Sequence, residues 1–126
     1  RAAKLTNANL TNANLTDADM TAAKLTNANL TNADLTNAQL DSADLTNANL
    51  TNAILINANL FGADLSEANL TSSDFTDAYL VVANLTNADL TKAKLTNAMM
   101  GFGADMTNLT NTILTGATMP DGTIHD

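Results

Sequence analysis

The sequence predicts an all-β solenoid, a chain wound into a four-sided coil of about 20 residues per turn. Three observations predict it. A large apolar residue recurs at every fifth position of the first hundred, an Ala stands two positions before almost every one, and the intervening positions are mostly Thr, Asn or Asp. The pattern runs through twenty consecutive units without an insertion, which defines a tandem repeat.

The apolar positions predict the core. The large position holds Leu except at Met20, Phe75 and Met100, and Ser73 is the one substitute for Ala. On an α-helix, five residues rotate successive Leu side chains by about 140°, so no apolar stripe forms. On a straight strand, the odd spacing puts alternate Leu side chains on opposite faces. Leu and Ala point inward in every unit only if the chain turns a corner after each unit, and four corners close one coil.

The polar positions predict the corners. Thr follows the large residue in fourteen of twenty units, and Asn comes next in ten. Asn tolerates unusual backbone angles and hydrogen-bonds within its own turn. Asn or Asp also fills thirteen of the twenty positions directly before the large residue. Stacked Asn side chains are expected to hydrogen-bond from coil to coil, as they do between stacked strands.

The regular pattern ends at Met100. We expect residues 1–100 to form five regular coils, residues 101–119 one irregular C-terminal coil, and residues 120–126 a turn and tail. The segment 101–106 reads as a unit displaced by one residue, and its two glycines suit a bulge. A five-residue spacing then resumes in a new register, and Pro-Asp-Gly after Met119 is a turn signal.

Units such as ANLTN at 8–12 and ADLSE at 63–67 are similar to the A(D/N)LXX signature of the pentapeptide repeat protein family. The resemblance covers residues 2–100 without a gap. It implies a right-handed quadrilateral β-helix of the kind abundant in cyanobacteria, and most such proteins lack a known molecular function. A minority of the family resemble DNA in shape and charge and bind DNA gyrase. The resemblance therefore leaves a DNA-mimicking inhibitor or modulator of DNA gyrase as the alternative function.

Charge and composition exclude several classes of partner. Thirteen acidic residues against five Lys and Arg give a net charge of −8, which disfavours direct binding to nucleic acid or an anionic membrane. Dispersed acids interrupted by Lys give a weaker field than a DNA duplex. No apolar run approaches the roughly 20 residues of a membrane span. The chain has no Cys, so disulfides and thiolate chemistry are excluded.

No motif predicts an enzyme. His125 is the only His and stands in the tail without a Ser or Cys partner arrangement. Asp44 and Asp64 are expected to stack, but a flat ladder does not converge the roughly six oxygens that a divalent cation requires. Gly101 and Gly103 lack the Lys and the helix of a phosphate-binding loop. We predict no catalytic, cofactor-binding or metal-ligating residue and no small-molecule substrate.

One group of outward residues departs from the polar pattern. Because residues twenty apart stack, eight apolar side chains are expected outside the tube on one side of coils three to five, with Phe61 under Val81 and Val82 under Phe102. A contiguous apolar patch on a polar surface usually marks an interface. The predicted contact patch consists of Ile54, Ile56, Phe61, Tyr79, Val81, Val82, Met99 and Phe102.

These observations favour a non-catalytic structural or protein-interaction module. We expect an unknown protein partner or a homodimer, through the apolar patch or the coil ends, or the chain's own tail on the patch. Rows of Thr also raise ice binding, but the predicted corner positions do not form a flat plane. The start at Arg1 rather than Met suggests processing or trimming. The compartment stays open between the cytoplasm and, if a leader precedes Arg1, the periplasm or thylakoid lumen.

Overall fold

The computed structural model describes residues 2–126 and is an all-β solenoid, as predicted. Parallel backbone bridges join residues twenty apart, from Lys4 with Lys24 up to Tyr79 with Met99. Each unit contributes one bridged residue rather than a long strand. Within residues 2–126 the single helix is a 3₁₀ turn, Gly103–Asp105. No helix in this part of the chain is long and apolar enough to cross a membrane.

Each unit consists of a bridged residue and a corner. The Leu5 N–H donates to the Lys24 carbonyl at 2.8 Å, and the Lys24 N–H donates back to the Ala3 carbonyl at 2.8 Å. At the corner, the Ala8 N–H donates to the Leu5 carbonyl at 2.9 Å, while Asn7 has a φ of 61°. A positive φ at the third residue is the geometry of a type II turn, which explains the frequent Asn.

Four units make the four sides of a coil, named A, B, C and D after Leu25, Leu30, Leu35 and Leu40 of the second coil. Side D continues through the large positions twenty residues apart, up to Met100. Every Leu from 25 to 95 is 0% exposed, so the core is one continuous Leu and Ala column. The Leu residues of the first coil are half-buried, because the described chain places a coil on only one side of them.

Ser and Thr are accepted in the small core position where their hydroxyls hydrogen-bond to a backbone carbonyl. The Ser73 hydroxyl donates to the Leu70 carbonyl at 2.6 Å. The Thr107 hydroxyl donates to the Leu80 carbonyl at 2.7 Å. Among residues 2–126, no buried side-chain nitrogen or oxygen lacks a hydrogen-bond partner. The bonds offset the cost of burying these polar groups.

The Asn side chains divide into two roles. Those with positive φ form a ladder between coils, in which Asn52 donates to Asn32 at 3.3 Å and Asn32 donates to Asn12 at 3.1 Å. Those directly before Leu mostly cap the next corner: Asn9 Oδ1 accepts the Thr11 amide at 3.1 Å and the Thr11 hydroxyl at 2.7 Å. Coil-to-coil bonds are fewer in the second group of the described chain, where Asn84 donates to Asp64 Oδ1 at 3.2 Å.

The register shifts after Met100. Bridges now join residues twenty-four apart, beginning with Asn84 and Asn108. The Thr107 N–H donates to the Met100 carbonyl at 2.7 Å and closes residues 101–106 into a loop. The interpretation of this segment as a displaced repeat unit is wrong, because Met106 is 54% exposed. Thr107 occupies the small core position instead, so the inserted residues are excluded from the tube.

The tail folds back on the last coil. Thr118 and Ile124 form an antiparallel bridge, the Met119 N–H donates to the Thr123 carbonyl at 2.7 Å, and the His125 N–H donates to the Ala117 carbonyl at 2.8 Å. These hydrogen bonds pair the tail with the edge of the coil that carries it. The tail backbone thus bonds to this edge after Pro120, whose own carbonyl accepts the Asn97 N–H of the preceding coil at 3.0 Å.

The capped carboxylates predict an acid-dependent loss of stability. The Thr36 hydroxyl and amide donate to Asp34 Oδ1 at 2.6 and 3.0 Å, and they hold the pKa of Asp34 below its usual 3.8. A lowered pKa stabilises the fold above pH about 4, and this contribution is lost as pH falls through the folded value. Asn accepts the same amide bond at Asn14, one coil away, without titrating.

Asp34→Asn should therefore flatten the acid limb of the stability curve. We expect urea unfolding between about pH 6 and pH 2 to show a smaller fall in the free energy of unfolding for the variant than for the parent chain. Identical acid limbs would show that the Asp34 carboxylate gains nothing from the fold.

Candidate interaction surface

Seven of the eight outward apolar residues of the predicted patch belong to side D and its two flanking corners, and Ile54 lies on the neighbouring side C. We call this set the apolar face. Six members are exposed, Ile56 is half-buried and Val81 is buried. The members are Ile54, Ile56, Phe61, Tyr79, Val81, Val82, Met99 and Phe102.

All eight side chains are expected outside the tube, and Val81 takes its outward corner position but is only 8% exposed. Its carbonyl accepts the Gly62 N–H at 3.1 Å, so it stands at the corner above Phe61 as the register predicts. The next residue, Val82, donates its N–H to the Asp105 carbonyl at 3.1 Å. The loop 101–106 therefore passes over this corner. Val81 packs beneath the exposed members of the apolar face and offers little surface to a partner.

An aromatic pair forms the middle of the apolar face. The rings of Phe61 and Tyr79 stack with centroids 6.1 Å apart and planes inclined by 22°. Tyr79 bridges Asn59 one coil below, and Asn59 Oδ1 accepts the Phe61 N–H at 3.1 Å. This diagonal contact brings Phe61 beside Tyr79, which twenty-residue columns did not predict. Tyr79 in turn bridges Met99, so the apolar row continues along the solenoid axis.

Phe102 does not stack on Val82 as expected. In the regular register the Val82 N–H would bond to the carbonyl of Gly101, but the loop substitutes the Asp105 carbonyl. Phe102 is displaced with the loop and is 91% exposed. It borders a cleft of about 350 Å³ lined also by Ala98, Met99, Met100 and Pro120. A large exposed ring beside an apolar cleft extends the apolar face to the end of the solenoid.

Val82 holds a backbone conformation that its side chain disfavours. Its φ is 61°, in the left-handed region that a β-branched residue rarely adopts. Asn occupies this position in half of the regular units. A Val here places an exposed apolar side chain at a conformational cost, and such strain is concentrated at functional sites.

Val82→Asn should raise the free energy of unfolding by about 1 kcal/mol, because Asn adopts the left-handed region more readily. The reciprocal change Asn57→Val, where φ is 57°, should lower it by a similar amount. Thermal unfolding of the two variants beside the parent chain measures both effects. A destabilised Val82→Asn chain would show that Val82 packing outweighs its backbone strain.

Three further exposed apolar residues were not included in the predicted patch. They are Met106, Ile113 and Ile124, at 54%, 49% and 62% exposed. Ile113 bridges Asp89 and takes an outward position of the last coil, which the resumed five-residue spacing could have indicated. Met106 was misplaced because it was read as a core residue of a displaced unit. No sequence signal places Ile124.

The stacked carboxylates of Asp44 and Asp64 lie on a polar side of the solenoid. Asp44 bridges Asp64 in the backbone, and Lys24 Nζ lies 3.7 Å from Asp44 Oδ2. Burial raises the pKa of Asp44, but hydrogen bonds from Thr46 and Thr26 and the charge of Lys24 outweigh it, so the pKa lies below its usual value. Their oxygens are engaged by neighbouring turns and cations. Within residues 2–126, no group of three or more acidic or His residues could hold a metal ion.

His125 is exposed in the tail. Its Nδ1 lies 3.0 Å from the carbonyl of the adjacent Asp126. Its backbone N–H and carbonyl pair with Ala117 and Gly116 of the last coil. These contacts give His125 a place in the folded-back tail, and they do not orient its imidazole toward a nucleophile.

The fold and its surface define a class: a tandem-repeat solenoid with a buried Leu and Ala core, a mostly polar exterior and one apolar face. A family model described as pentapeptide repeats matches eight copies, over residues 1–32, 28–66, 38–77 and 63–100. The chain belongs to the pentapeptide repeat family. Comparison with curated proteins finds no match.

Solved structures of the family resemble this chain. HetL, a pentapeptide repeat protein involved in heterocyst differentiation regulation in the cyanobacterium Nostoc sp. strain PCC 7120, is 33% identical over 97% of this chain and 70% of its own, with a TM-score of 0.44. A protein of the Arabidopsis thaliana thylakoid lumen is 33% identical over 90% and 69%, with a TM-score of 0.41. Rfr23 from the cyanobacterium Cyanothece 51142 is 35% identical over 86% and 64%, with a TM-score of 0.42.

Proposed function

We propose that this chain is a non-catalytic protein-interaction module and that the apolar face is its contact surface. The observation that carries the proposal is the exposure of Phe61, Tyr79, Val82, Met99 and Phe102 together on one side of a solenoid whose other outward residues are mostly polar. Polar corner residues serve the turns equally well elsewhere in the repeat. Exposed apolar area costs about 25 cal/mol per Å², so a covering partner stabilises the face.

Rigidity supports the same proposal. The aromatic pair stands on bridged coils whose core is fully buried, so the backbone that carries its rings is ordered before any partner arrives. A surface that is ordered in advance binds with a smaller entropy cost than a flexible one. The strained Val82 adds a second reason, because its apolar side chain is retained where Asn would relieve the backbone.

A binding role also agrees with the chemistry of the polar surface. Carboxylates such as Asp34 and Asp74 accept hydrogen bonds from the Thr two residues later. General acid–base catalysis needs such groups aimed at a common substrate position. Here they are committed to their own corners, which supports a role without catalysis.

The finer architecture belongs to the same proposal. We assign a right-handed quadrilateral β-helix, with five regular coils over residues 1–100, an irregular coil over 101–119 and a turn and tail over 120–126. The change of bridge spacing from twenty to twenty-four residues beyond Met99 supports the first boundary. The antiparallel bridge between Thr118 and Ile124 supports a separate tail. The handedness rests on membership of the family.

The DNA-mimicking gyrase inhibitor has less support. Lys24 and Lys94 form ion pairs with Asp44 and Asp74 at 3.7 and 3.6 Å, which reduces the field of sides A and C. The most distinctive side of the solenoid is apolar rather than acidic. We favour protein contact through the apolar face.

The double variant Phe61→Thr with Tyr79→Thr tests the proposed surface. Thr is the commonest residue at the position of Phe61, and Thr118 of the last coil takes the same bridged position in its unit as Tyr79, so the variant should melt close to the parent chain. We expect immobilised parent chain to retain proteins from a cyanobacterial extract that the double variant loses by a factor of about ten, the effect of removing a binding anchor. Quantitative mass spectrometry of the retained proteins measures the ratio.

Ile113→Thr is the matched control, since it removes an exposed apolar side chain outside the apolar face. It should retain the same proteins as the parent chain. Equal retention by the parent and the double variant would contradict the proposed contact surface.

A further inference from the structure

The charges on side D and its two flanking corners, which carry every member of the apolar face except Ile54, are of one sign. Within residues 2–126, side D and its two flanking corners carry no Lys, Arg or His at any coil. The Lys residues stand elsewhere: Lys4 and Lys24 on side A, Lys92 at the corner before side C, and Lys94 on side C, where its Nζ lies 3.6 Å from Asp74. Cations are therefore absent from the neighbourhood of the aromatic pair in the described chain.

Three carboxylates border the same face. Asp41 occupies the corner position one coil below Phe61, and its Oδ1 accepts the Thr21 hydroxyl at 3.1 Å. Asp77 stands at the corner two residues before Tyr79 and is exposed. Asp105 is exposed in the loop beside Phe102. The ion pairs within residues 2–126 involve Asp44 and Asp74, so none of these three has a cationic partner there.

This arrangement selects the chemistry of the occupant. A second copy of the chain in a two-fold contact would bring these carboxylates together with no cation on either surface, which is repulsive. A Lys or Arg side chain is complementary: its methylene stem covers apolar surface while its charge reaches a carboxylate. The stacked rings add cation–π attraction for a charge within about 6 Å of a ring centroid.

We propose that the apolar face binds a protein segment that presents Lys or Arg side chains beside aromatic or branched aliphatic ones. The proposal rests on the proposed function and names the chemistry of its partner. The face spans from Asp41 to Phe102, three coil spacings or about 15 Å. A helical segment of about ten residues covers that length, at about 1.5 Å per residue.

Selection from a display library of random twelve-residue peptides tests this inference directly. Peptides enriched on the immobilised parent chain should combine basic with aromatic or aliphatic residues. Asp41→Asn should weaken their binding by about two- to fivefold, the effect of one exposed ion pair, and raising the salt from about 0.05 to 0.5 M should weaken it further. Glu67→Gln, the same charge change on the corner between sides A and B, should leave binding unchanged.

The outcomes separate this inference from the function beneath it. One outcome is that the enriched peptides are apolar without basic residues, that the double variant Phe61→Thr with Tyr79→Thr no longer binds them, and that Asp41→Asn binds them like the parent. This outcome would overturn the inference of a basic partner and would still support the contact surface. Peptides that bind the double variant as tightly as the parent would overturn both. Self-association in sedimentation that the double variant abolishes would show that a second copy occupies the face, against the inference.

Discussion

Replacing Leu50 with Ala is expected to lower the free energy of unfolding by about 2–5 kcal/mol. Leu50 lies on side B of the third coil and is 0% exposed, with Leu30 and Leu70 in the same column below and above it. A coil that bridges both of its neighbours cannot collapse into the space left by the lost methine and two methyl groups, so a cavity remains. Reversible urea unfolding of the purified variant measures the loss.

Leu10→Ala provides the matched comparison on the same side. Leu10 is half-buried in the first coil, so the same truncation removes less buried surface and leaves a more open space. We expect a clearly smaller loss for Leu10→Ala than for Leu50→Ala. A loss below about 0.5 kcal/mol at Leu50, the range of ordinary surface changes, would mean that the Leu column is not the core.

Gly101→Ala is expected to open the loop 101–106. Gly101 has a φ of 76°, and an added Cβ would overlap the Asp105 carbonyl oxygen and lie 2.9 Å from the carbonyl carbon. These are backbone atoms of the same loop, so the loop must move to relieve the contact. The Val82 N–H then loses its Asp105 acceptor, and Val81 loses the loop that covers its corner. Faster amide hydrogen exchange at Val82 and proteolysis within the loop report the opening.

Gly103→Ala separates this clash from backbone strain. Gly103 also has a positive φ, 57°, but an added Cβ would meet open space. It should cost about 1–2 kcal/mol from the left-handed conformation alone and leave Val82 protected. Gly101→Ala should cost more than its control. Equal losses and equal amide protection would mean that the close approach of Gly101 to Asp105 does not hold the loop.

The regular coils were predictable because every unit repeats the same local problem. Leu30 and Leu50 pack against equivalent residues one coil apart. Asn7 and Asn27 adopt the same positive φ at equivalent corners. Periodicity alone therefore placed the core and the outward positions through Met100. The one substitute in the small position, Ser73, also showed that a hydroxyl is accepted there. If Thr107 is accepted in the small core position in the same way, Leu109 follows as the next large core residue, and the resumed register can be read from the sequence.

The apolar face was predictable in membership but not in detail. Column arithmetic placed Tyr79 beneath Met99, which the backbone bridge confirms. It missed the ring contact of Phe61 with Tyr79, because side chains of that length reach diagonally across a coil spacing of about 4.8 Å. The proposed contact surface is inferred from the exposure of these side chains. That exposure depends on which of them the loop and the last coil cover.

The sequence by itself determined the solenoid, its Leu and Ala core and the side on which apolar residues gather, because a five-residue period admits one inward face only when each unit ends in a corner. The tertiary structure alone decided which of those residues a partner can reach. Closure of the loop by Thr107 covers Val81 and displaces Phe102 into solvent at 91% exposure. The loop 101–106, where the register shifts by four residues, contacts the corner of Val81 and Val82 about twenty residues earlier in the chain. Only the stacking of coils brings these two segments together.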